Sequence, residues 1–276
     1  MADHSFPVSS PSEPGSSAGA NAHSGEHAPA FDTWNHFLGE AANRIGSAQF
    51  PGALADALRL LAPFEMMNAF QYAPDGGAHD LFNEDLPVER SVIVDHYLSG
   101  AYVLDPFYDA VRTSAAPRLL VMRDLAPDEF HQTEYYRRHY ASTKTSDEVG
   151  FVFPIDHGSI GVLSLSRIGG DLFSDPSIAM MADAGPVACA LAARHWHTAS
   201  IASRPVSGGW SVPRIEDRRL TKRENEIVNL LLKGHSSLST ALQLSLSPNT
   251  IKVHRRKIYE KLKLSSQAEL FLLFLT

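Results

Sequence analysis

The spacing of apolar residues divides the chain between residues 31 and 196 into alternating helical and extended segments. Apolar residues at helical spacing run through 31–45 and 53–64, and Pro or Gly ends each run, which predicts two helices. Three short runs rich in Val, Phe and Ile predict strands over 66–72, 149–156 and 161–168. Further helical patterns cover 88–98, 105–114, 128–142 and 176–196. The last two strands are separated by a few turn residues and should form an antiparallel hairpin. The pattern predicts an α+β fold, an α-β-α sandwich with an antiparallel sheet.

Start and stop signals divide the C-terminal segment into four short helices. Thr221 and Glu224 have the spacing of a capping box, so a helix begins there and ends at Gly234. A second helix covers about 238–244, and an apolar run over 268–275 predicts the fourth. We therefore expect an all-α C-terminal domain of four helices.

The third of these helices has a sharp beginning and a well-defined inner stripe. Ser247 is typical of an N-cap, and Pro248 is typical of the first helical position. Ile251, Ile258 and Leu262 fall on one side and should pack inward. A helix, a short turn and a second helix are typical of the helix-turn-helix, which places its second helix in the major groove of DNA.

The opposite face of the third helix carries side chains suited to DNA. Asn and Arg make bidentate contacts with adenine and guanine, and Val can contact the thymine methyl group. The candidate base-reading residues are Asn249, Val253, Arg256 and Lys257. Residues nearer the flanks suit phosphate contacts, which position a protein without reading sequence. These phosphate candidates are Thr250, Lys252 and Arg255.

Charge divides the chain in the same place as the helical pattern. The whole chain has a net charge of −7, but from residue 214 onward Lys and Arg outnumber Asp and Glu by 12 to 6. The rest of the chain has 12 basic and 25 acidic residues. A basic C-terminal module beside a larger acidic one indicates a polyanion-binding domain with a regulatory partner domain.

Length and composition fit two globular domains with a tail and a linker. The chain has 276 residues, of which 44% are hydrophobic and 20% charged, so it is not a wholly disordered chain. Neither a secretory signal nor a transmembrane run is evident, and we expect a cytoplasmic location. The predicted organisation is a disordered tail over 1–30, a ligand-sensing domain over 31–197, a linker over 198–213 and a DNA-binding domain over 214–276.

The C-terminal sequence resembles a known family. LTKRENEIVNLLLKG followed by SPNTIKVHRRKIYEKL is similar to the LuxR-type DNA-binding domain over about 55 residues, with SSLSTALQL departing from its usual second helix. The resemblance implies a transcription factor that binds double-stranded DNA at a pseudo-palindromic operator and dimerises through its last helix. That helix is apolar all round, and a second subunit can cover its surplus face. The candidate dimer residues are Leu270, Leu273 and Phe274; burial against the N-terminal domain is the alternative.

The N-terminal domain resembles the autoinducer-binding domain of quorum-sensing regulators over about 88–196. The resemblance rests on HYLSGAYVLDPFYDAV, YYRRHYAS, VGFVFPID and GVLSLSRI. It implies an α-β-α sandwich in which Asp105 accepts a hydrogen bond from a ligand amide and Ser164 lines the pocket. The predicted ligand pocket contains Tyr97, Tyr102, Asp105, Tyr108 and Ser164.

Two departures from that family bear on the ligand. Ile93 stands where the family has a Trp for the lactone carbonyl, and Leu120 lies near the place of another expected aromatic residue. We therefore expect a small effector other than a standard acyl-homoserine lactone. The domain is rich in aromatic residues and has further carboxylates at Asp109, Asp147 and Glu148, which would suit a cationic or amide-bearing molecule. Because Pro106 follows it, Asp105 can instead act as a helix cap, and both roles stay open.

An enzyme is the competing class of function. The sequence has no Gly-rich phosphate loop, nucleophile elbow or HExxH motif. We expect no catalytic residues, no metal and no cofactor. Two alternatives stay open: an acyl-homoserine lactone receptor, or a DNA-binding unit fused to a catalytic or scaffolding N-terminal domain.

Overall fold

A computed structural model describes residues 31–74, 76–84, 94–202 and 215–275. The predicted tail, residues 203–213 of the predicted linker and Ile93 lie outside these ranges. The described chain combines an N-terminal domain built on a five-stranded sheet with a C-terminal domain of helices. This confirms the predicted α+β class and the antiparallel sandwich.

The elements of the N-terminal domain are, in chain order, α1 (Phe31–Asn43), α2 (Phe50–Arg59), β1 (Met66–Tyr72), β2 (Ala78–Asn83), α3 (His96–Leu98), α4 (Pro106–Thr113), β3 (Arg118–Val121), α5 (Met122–Leu125), α6 (Glu134–Tyr136), β4 (Thr145–Pro154), β5 (Ile160–Ile168) and α7 (Asp175–Ala202). The three predicted strands correspond to β1, β4 and β5. The apolar pattern did not predict β2 and β3, which lie at the two edges of the sheet; β3 has four residues and β2 is half polar. The predicted helix over 128–142 is instead a 3-10 turn, one turn of α-helix and a π-helical turn.

The sheet is antiparallel throughout, in the order β2-β1-β5-β4-β3, and the predicted β4-β5 hairpin is confirmed. Asn68 of β1 pairs with Ser164 of β5, which pairs with Gly150 of β4. Because side chains alternate along a strand, these positions share one face with Glu148. The polar positions of the central strands therefore meet on this face, which we call the inner face.

The opposite face of the sheet packs against α1, α2 and α7. Among the described helices, α7 is long and apolar enough over Asp175–His197 to cross a membrane. Its Met181, Cys189 and Trp196 are buried in the same cluster as strand residues, so α7 is a core helix of this domain. It continues to Ala202, five residues into the predicted linker.

The C-terminal domain consists of α8 (Lys222–Lys233), α9 (Ser237–Leu244), α10 (Pro248–Leu262) and α11 (Gln267–Leu275). The capping box of Thr221 and Glu224 is present, and Gly234 ends α8 in the left-handed conformation with a φ of 97°. Ser247 caps α10 by accepting a hydrogen bond from the Thr250 amide at 3.0 Å. The inner stripe of α10 is buried as predicted. Local start and stop signals thus determine this domain closely.

Candidate functional site

The predicted base-reading residues lie together on the outer face of α10. Asn249 and Lys257 are exposed, the Val253 side chain is 54% exposed, and the Arg256 side chain is 83% exposed. Arg256 donates from Nε to Oε1 of Glu260, one turn later, at 2.8 Å. The guanidinium is therefore aligned along the helix surface.

The predicted phosphate-contacting residues differ in their surroundings. Lys252 is exposed beside the outer face of α10. Arg255 donates to the Ser237 hydroxyl of α9 at 3.0 Å, and the Thr250 hydroxyl is 2.8 Å from that of Ser247. Arg255 thus links the two helices of the helix-turn-helix, and Thr250 belongs to the cap that begins α10.

A cavity of about 60 Å³ lies between the inner face of the sheet and the short helices of the N-terminal domain. This volume is several times the roughly 10–15 Å³ that one water molecule needs and is well below the roughly 300 Å³ or more of a site for a drug-sized ligand. Its polar lining residues are Asn68, Tyr72, Tyr97, Asp105, Tyr135, His139, Tyr140, Thr143, Thr145, Glu148, Ser164 and Ser166. The site therefore suits a compact molecule.

Asp105 caps a helix, which is one of the two roles that the sequence left open, and it also lines the cavity; its contact with a ligand stays a prediction. Its Oδ1 accepts from the Phe107 amide at 2.7 Å and caps α4, while its Oδ2 accepts from the Tyr97 hydroxyl at 2.7 Å. Burial raises the pKa of this carboxyl to about 6 despite these hydrogen bonds. Capping and lining are compatible because they use different oxygens.

Glu148 is the second carboxyl of the cavity. Its Oε2 accepts from the Tyr140 hydroxyl at 2.5 Å, and its Oε1 accepts from Ser164 and, at 3.4 Å, from Ser166. Burial, and then the nearby charge of Asp105, raise its pKa to about 7. The sequence indicated this residue as one of several carboxylates that would suit a cationic ligand but did not distinguish it from Asp109 and Asp147, since its position depends on strand register.

The charge of the cavity is negative or neutral. Among the described residues that line it, none is Lys or Arg. His139 lies 3.1 Å from the Nδ1 of His96 through its Nε2, and its pKa is lowered to about 3 by burial, then by His96 and Arg138. This imidazole is therefore neutral at physiological pH and does not balance the two carboxyls.

Two residues of the predicted pocket lie elsewhere. The hydroxyls of Tyr102 and Tyr108 donate to the Gly76 carbonyl at 2.9 and 3.2 Å, outside the 60 Å³ cavity. Tyr108 lines a second, more open cavity of about 370 Å³. An aromatic cluster in sequence does not reveal which rings share a cavity, and a ligand role for Tyr102 and Tyr108 stays a prediction. Tyr97, Asp105 and Ser164 do line the smaller cavity.

The two domains are joined by polar contacts at the end of α8. Lys233 Nζ lies 2.6 Å from each carboxylate oxygen of Asp109 on α4. The Ser236 amide donates to Oδ1 of Asp128 at 2.9 Å. Asp109 and Asp128 therefore hold the DNA-binding domain through the segment between α8 and α9.

The dimer residues predicted on α11 are not all exposed. Leu270 is fully buried within the chain, and Phe274 packs partly against the core, whereas Leu273 is 44% exposed. Phe271 is buried under the Arg138 guanidinium, whose carbon is 5.0 Å from the ring centroid. Over residues 267–274 of α11, whose burial the structure describes, the exposed large apolar residues are Leu272 and Leu273. A helix that is apolar all round has no period from which to choose its inner face.

A Gly234→Ala substitution is expected to destabilise the junction between the domains. The left-handed backbone costs an alanine roughly 1–2 kcal/mol, and an added Cβ would lie 2.7 Å from Cα of Phe130. The hydrogen bond from the Glu129 amide to the Gly234 carbonyl, now 2.8 Å long, should weaken. Urea unfolding and faster amide exchange at Glu129 would measure this. Gly39→Ala is the control because its Cβ meets nothing within 4 Å; equal effects of the two would contradict the prediction.

The exposed outer face of α10 and the sheet-and-helix sensor-like domain define a DNA-binding regulator. Residues 218–274 match the family of bacterial regulatory proteins, luxR family. The chain is 28% identical over 183 residues to an HTH-type transcriptional regulator in the exeN 3' region of Aeromonas salmonicida. The match covers 62% of this chain and 93% of that protein. The chain is 37% identical over 65 residues to the response regulator protein TodT of Pseudomonas putida, 22% of this chain and 29% of TodT.

A solved structure matches the N-terminal domain. The VqsR LBD domain from Pseudomonas aeruginosa has a TM-score of 0.54 and 25% identity, and the match covers 60% of this chain and 98% of that one. The chain is a transcriptional regulator with a LuxR-family helix-turn-helix domain and an autoinducer-binding-like N-terminal domain. Its relatives are regulators, which confirms the expectation that it is not an enzyme.

Proposed function

We propose that this regulator responds to a compact small molecule, other than a standard acyl-homoserine lactone, that enters the 60 Å³ cavity and changes DNA binding. The observation that carries the proposal is the position of residues 128–143. This segment lines the cavity on one side and contacts the DNA-binding domain on the other.

The two sides of this segment are close in sequence. Tyr135, His139 and Tyr140 line the cavity. Phe130 meets Gly234, and Arg138 lies over Phe271 of α11. An occupant that moves the tyrosines therefore moves residues that hold α8 and α11. A ligand alters an equilibrium only through such differential contacts.

Three features weigh against an acyl-homoserine lactone. The cavity, at about 60 Å³, is well below the roughly 300 Å³ or more of a site for a larger ligand. Leu120, near the expected place of an aromatic residue, is a buried aliphatic residue of β3. The Ser164 hydroxyl, which lines the pocket, already donates its hydrogen to the Glu148 carboxyl.

The DNA-binding half of the proposal follows from α10. A homodimer would present two such helices to a pseudo-palindromic operator in the cytoplasm. Its affinity should fall steeply with salt, because Lys and Arg displace counterions from DNA.

Selection of random duplex DNA with the full-length chain tests the function. The expected product is a two-fold symmetric site, bound with an affinity that octanoyl-homoserine lactone leaves unchanged. Fluorescence anisotropy would measure both. Selection of no preferred sequence would contradict the regulator, and a lactone-dependent change in affinity would instead support the lactone-receptor alternative.

A Leu273→Glu substitution should weaken assembly without unfolding the chain. Leu273 is 44% exposed on α11, so a carboxylate there stays in water in the single chain but is buried in the proposed dimer. Sedimentation velocity should show a shift toward monomer, with unchanged circular dichroism. Leu238→Glu, on the exposed side of α9, should leave the dimer intact. An unaltered dimer in Leu273→Glu would place the interface elsewhere.

A further inference from the structure

We infer that the 60 Å³ cavity binds a compact organic ammonium ion, held by the carboxylates of Glu148 and Asp105 and by the side-chain carbonyl oxygen of Asn68. The inference rests on the proposed function, since it names the chemical class of the effector that the regulator detects.

The charged residues that line the cavity are the first support for an ammonium site. Asp105, at the start of α4, is buried and Glu148, on β4, is half-buried; both line the cavity, and no Lys or Arg lines the described cavity. A buried carboxylate is costly without a cation beside it. Burial raises the pKa of Asp105 to about 6 and of Glu148 to about 7, so protons fill this role only below those pH values when the cavity has no cation. A bound ammonium ion would take the place of those protons.

Asn68 supplies an independent observation. It is 5% exposed and lines the cavity from β1, and its Oδ1 has no hydrogen-bond partner among the described residues. A buried carbonyl oxygen without a donor costs free energy, and a ligand N–H would satisfy it. Asn68 of β1 pairs with Ser164 of β5, and the Ser164 hydroxyl donates to Glu148. The Asn68 acceptor therefore lies on the strand next to β5. The group that would satisfy Asn68 is thus a donor, and an ammonium group supplies up to three N–H donors.

The remaining walls favour an organic cation over a metal ion. Phe107, Tyr97 and Tyr135 are buried aromatic residues of the cavity lining, and aromatic faces attract ammonium groups. A hard divalent metal needs six or more oxygen ligands in most sites. Within the described ranges, no group of three or more His, Cys, Asp or Glu could hold a metal.

The test compares four probes by isothermal titration and thermal shift on the full-length chain. They are n-butylammonium, the neutral 1-butanol of similar shape, tetramethylammonium and Mg²⁺. Butylammonium should bind saturably and raise the melting temperature. Butanol lacks the charge and tetramethylammonium lacks the N–H donors, so each should bind at least about tenfold more weakly.

Three variants locate the site. Glu148→Gln should weaken butylammonium binding at least about tenfold, since an ionic hydrogen bond is lost. Asp105→Asn should do the same while keeping the cap of α4, because Asn caps as well as Asp. Glu40→Gln, on the exposed side of α1, should bind butylammonium as the natural chain does. Circular dichroism establishes whether each variant is folded. If Glu148→Gln is unfolded, the binding of butylammonium by Asp105→Asn tests the site.

The contrary outcomes separate this inference from the proposed function. Equal binding of butanol, stabilisation by Mg²⁺ alone, no butylammonium binding, or binding that survives both cavity substitutions would each overturn the ammonium site. If the chain still binds the selected duplex with sequence preference in these cases, the proposed DNA-binding function is unaffected. Loss of that preference in the natural chain would overturn the function and not the cavity chemistry.

Discussion

Replacing Glu148 by Gln is expected to remove the contribution of this carboxyl to a loss of stability that the natural chain undergoes as the pH rises. The carboxyl has an ordinary pKa of 4.5 when unfolded, and burial, with Asp105 nearby, raises it to about 7 in the folded chain. Ionisation therefore favours the unfolded state. The free energy of unfolding should fall by about 3 kcal/mol between the two pKa values, because one pKa unit corresponds to about 1.4 kcal/mol. Gln cannot ionise and keeps this stability.

Urea unfolding of both chains below about pH 4.5 and above about pH 7 measures the effect. Asp105 titrates in both chains, so the difference between the two profiles reports Glu148. The variant should gain stability relative to the natural chain only at the higher pH. Glu40→Gln, which alters an exposed carboxylate, should follow the natural profile. Parallel profiles for Glu148→Gln and the natural chain would show that the folded carboxyl ionises normally.

An Arg256→Ala substitution should relax base preference at one position of each half-site. The side chain is 83% exposed at the centre of the outer face of α10 and can contact a guanine edge. We expect discrimination at that base pair to fall by roughly ten- to a hundredfold, and binding to other positions to keep its preferences. Anisotropy titrations against the selected duplex and its single base-pair variants measure this.

Two further variants separate base reading from charge. Lys252→Ala should weaken binding to all sequences about equally and reduce its salt dependence, since a phosphate contact carries no sequence information. Glu260→Gln removes the ion pair with Arg256 but keeps the guanidinium, so base preference should survive. If Arg256→Ala left both affinity and preference unchanged, the assignment of the outer face of α10 would be wrong.

The C-terminal domain was predictable because its signals are local. Thr221 with Glu224, Gly234, and Ser247 with Pro248 each act within one helical turn, and the structure has all of them in these roles. A cap or a left-handed glycine depends on neighbours a few residues away, which the sequence shows directly. The exposed face of α10 then follows from helical period.

The cavity was only partly predictable because its walls come from distant segments. Tyr97, Asp105 and Ser164 were found through a resemblance, while Tyr102 and Tyr108 belong to other contacts. Asn68 and Glu148 take their places from the register of β1, β4 and β5, and a shift of one residue would turn both to the other face. The short turn between β4 and β5 sets their register locally, whereas the register of β1 on β5 joins segments far apart in the chain and has no local signal.

By itself, the sequence determined the two-domain order, the central strands and the helix-turn-helix with its exposed basic face. Period, capping and charge act over short distances and need no partner. The tertiary structure alone decided which carboxyls share a cavity, that Asp105 both caps α4 and lines that cavity, and that α11 turns Leu270 and Phe271 inward. These outcomes depend on burial and on contacts between residues far apart in the chain, and an all-apolar helix or an aromatic cluster leaves them undetermined.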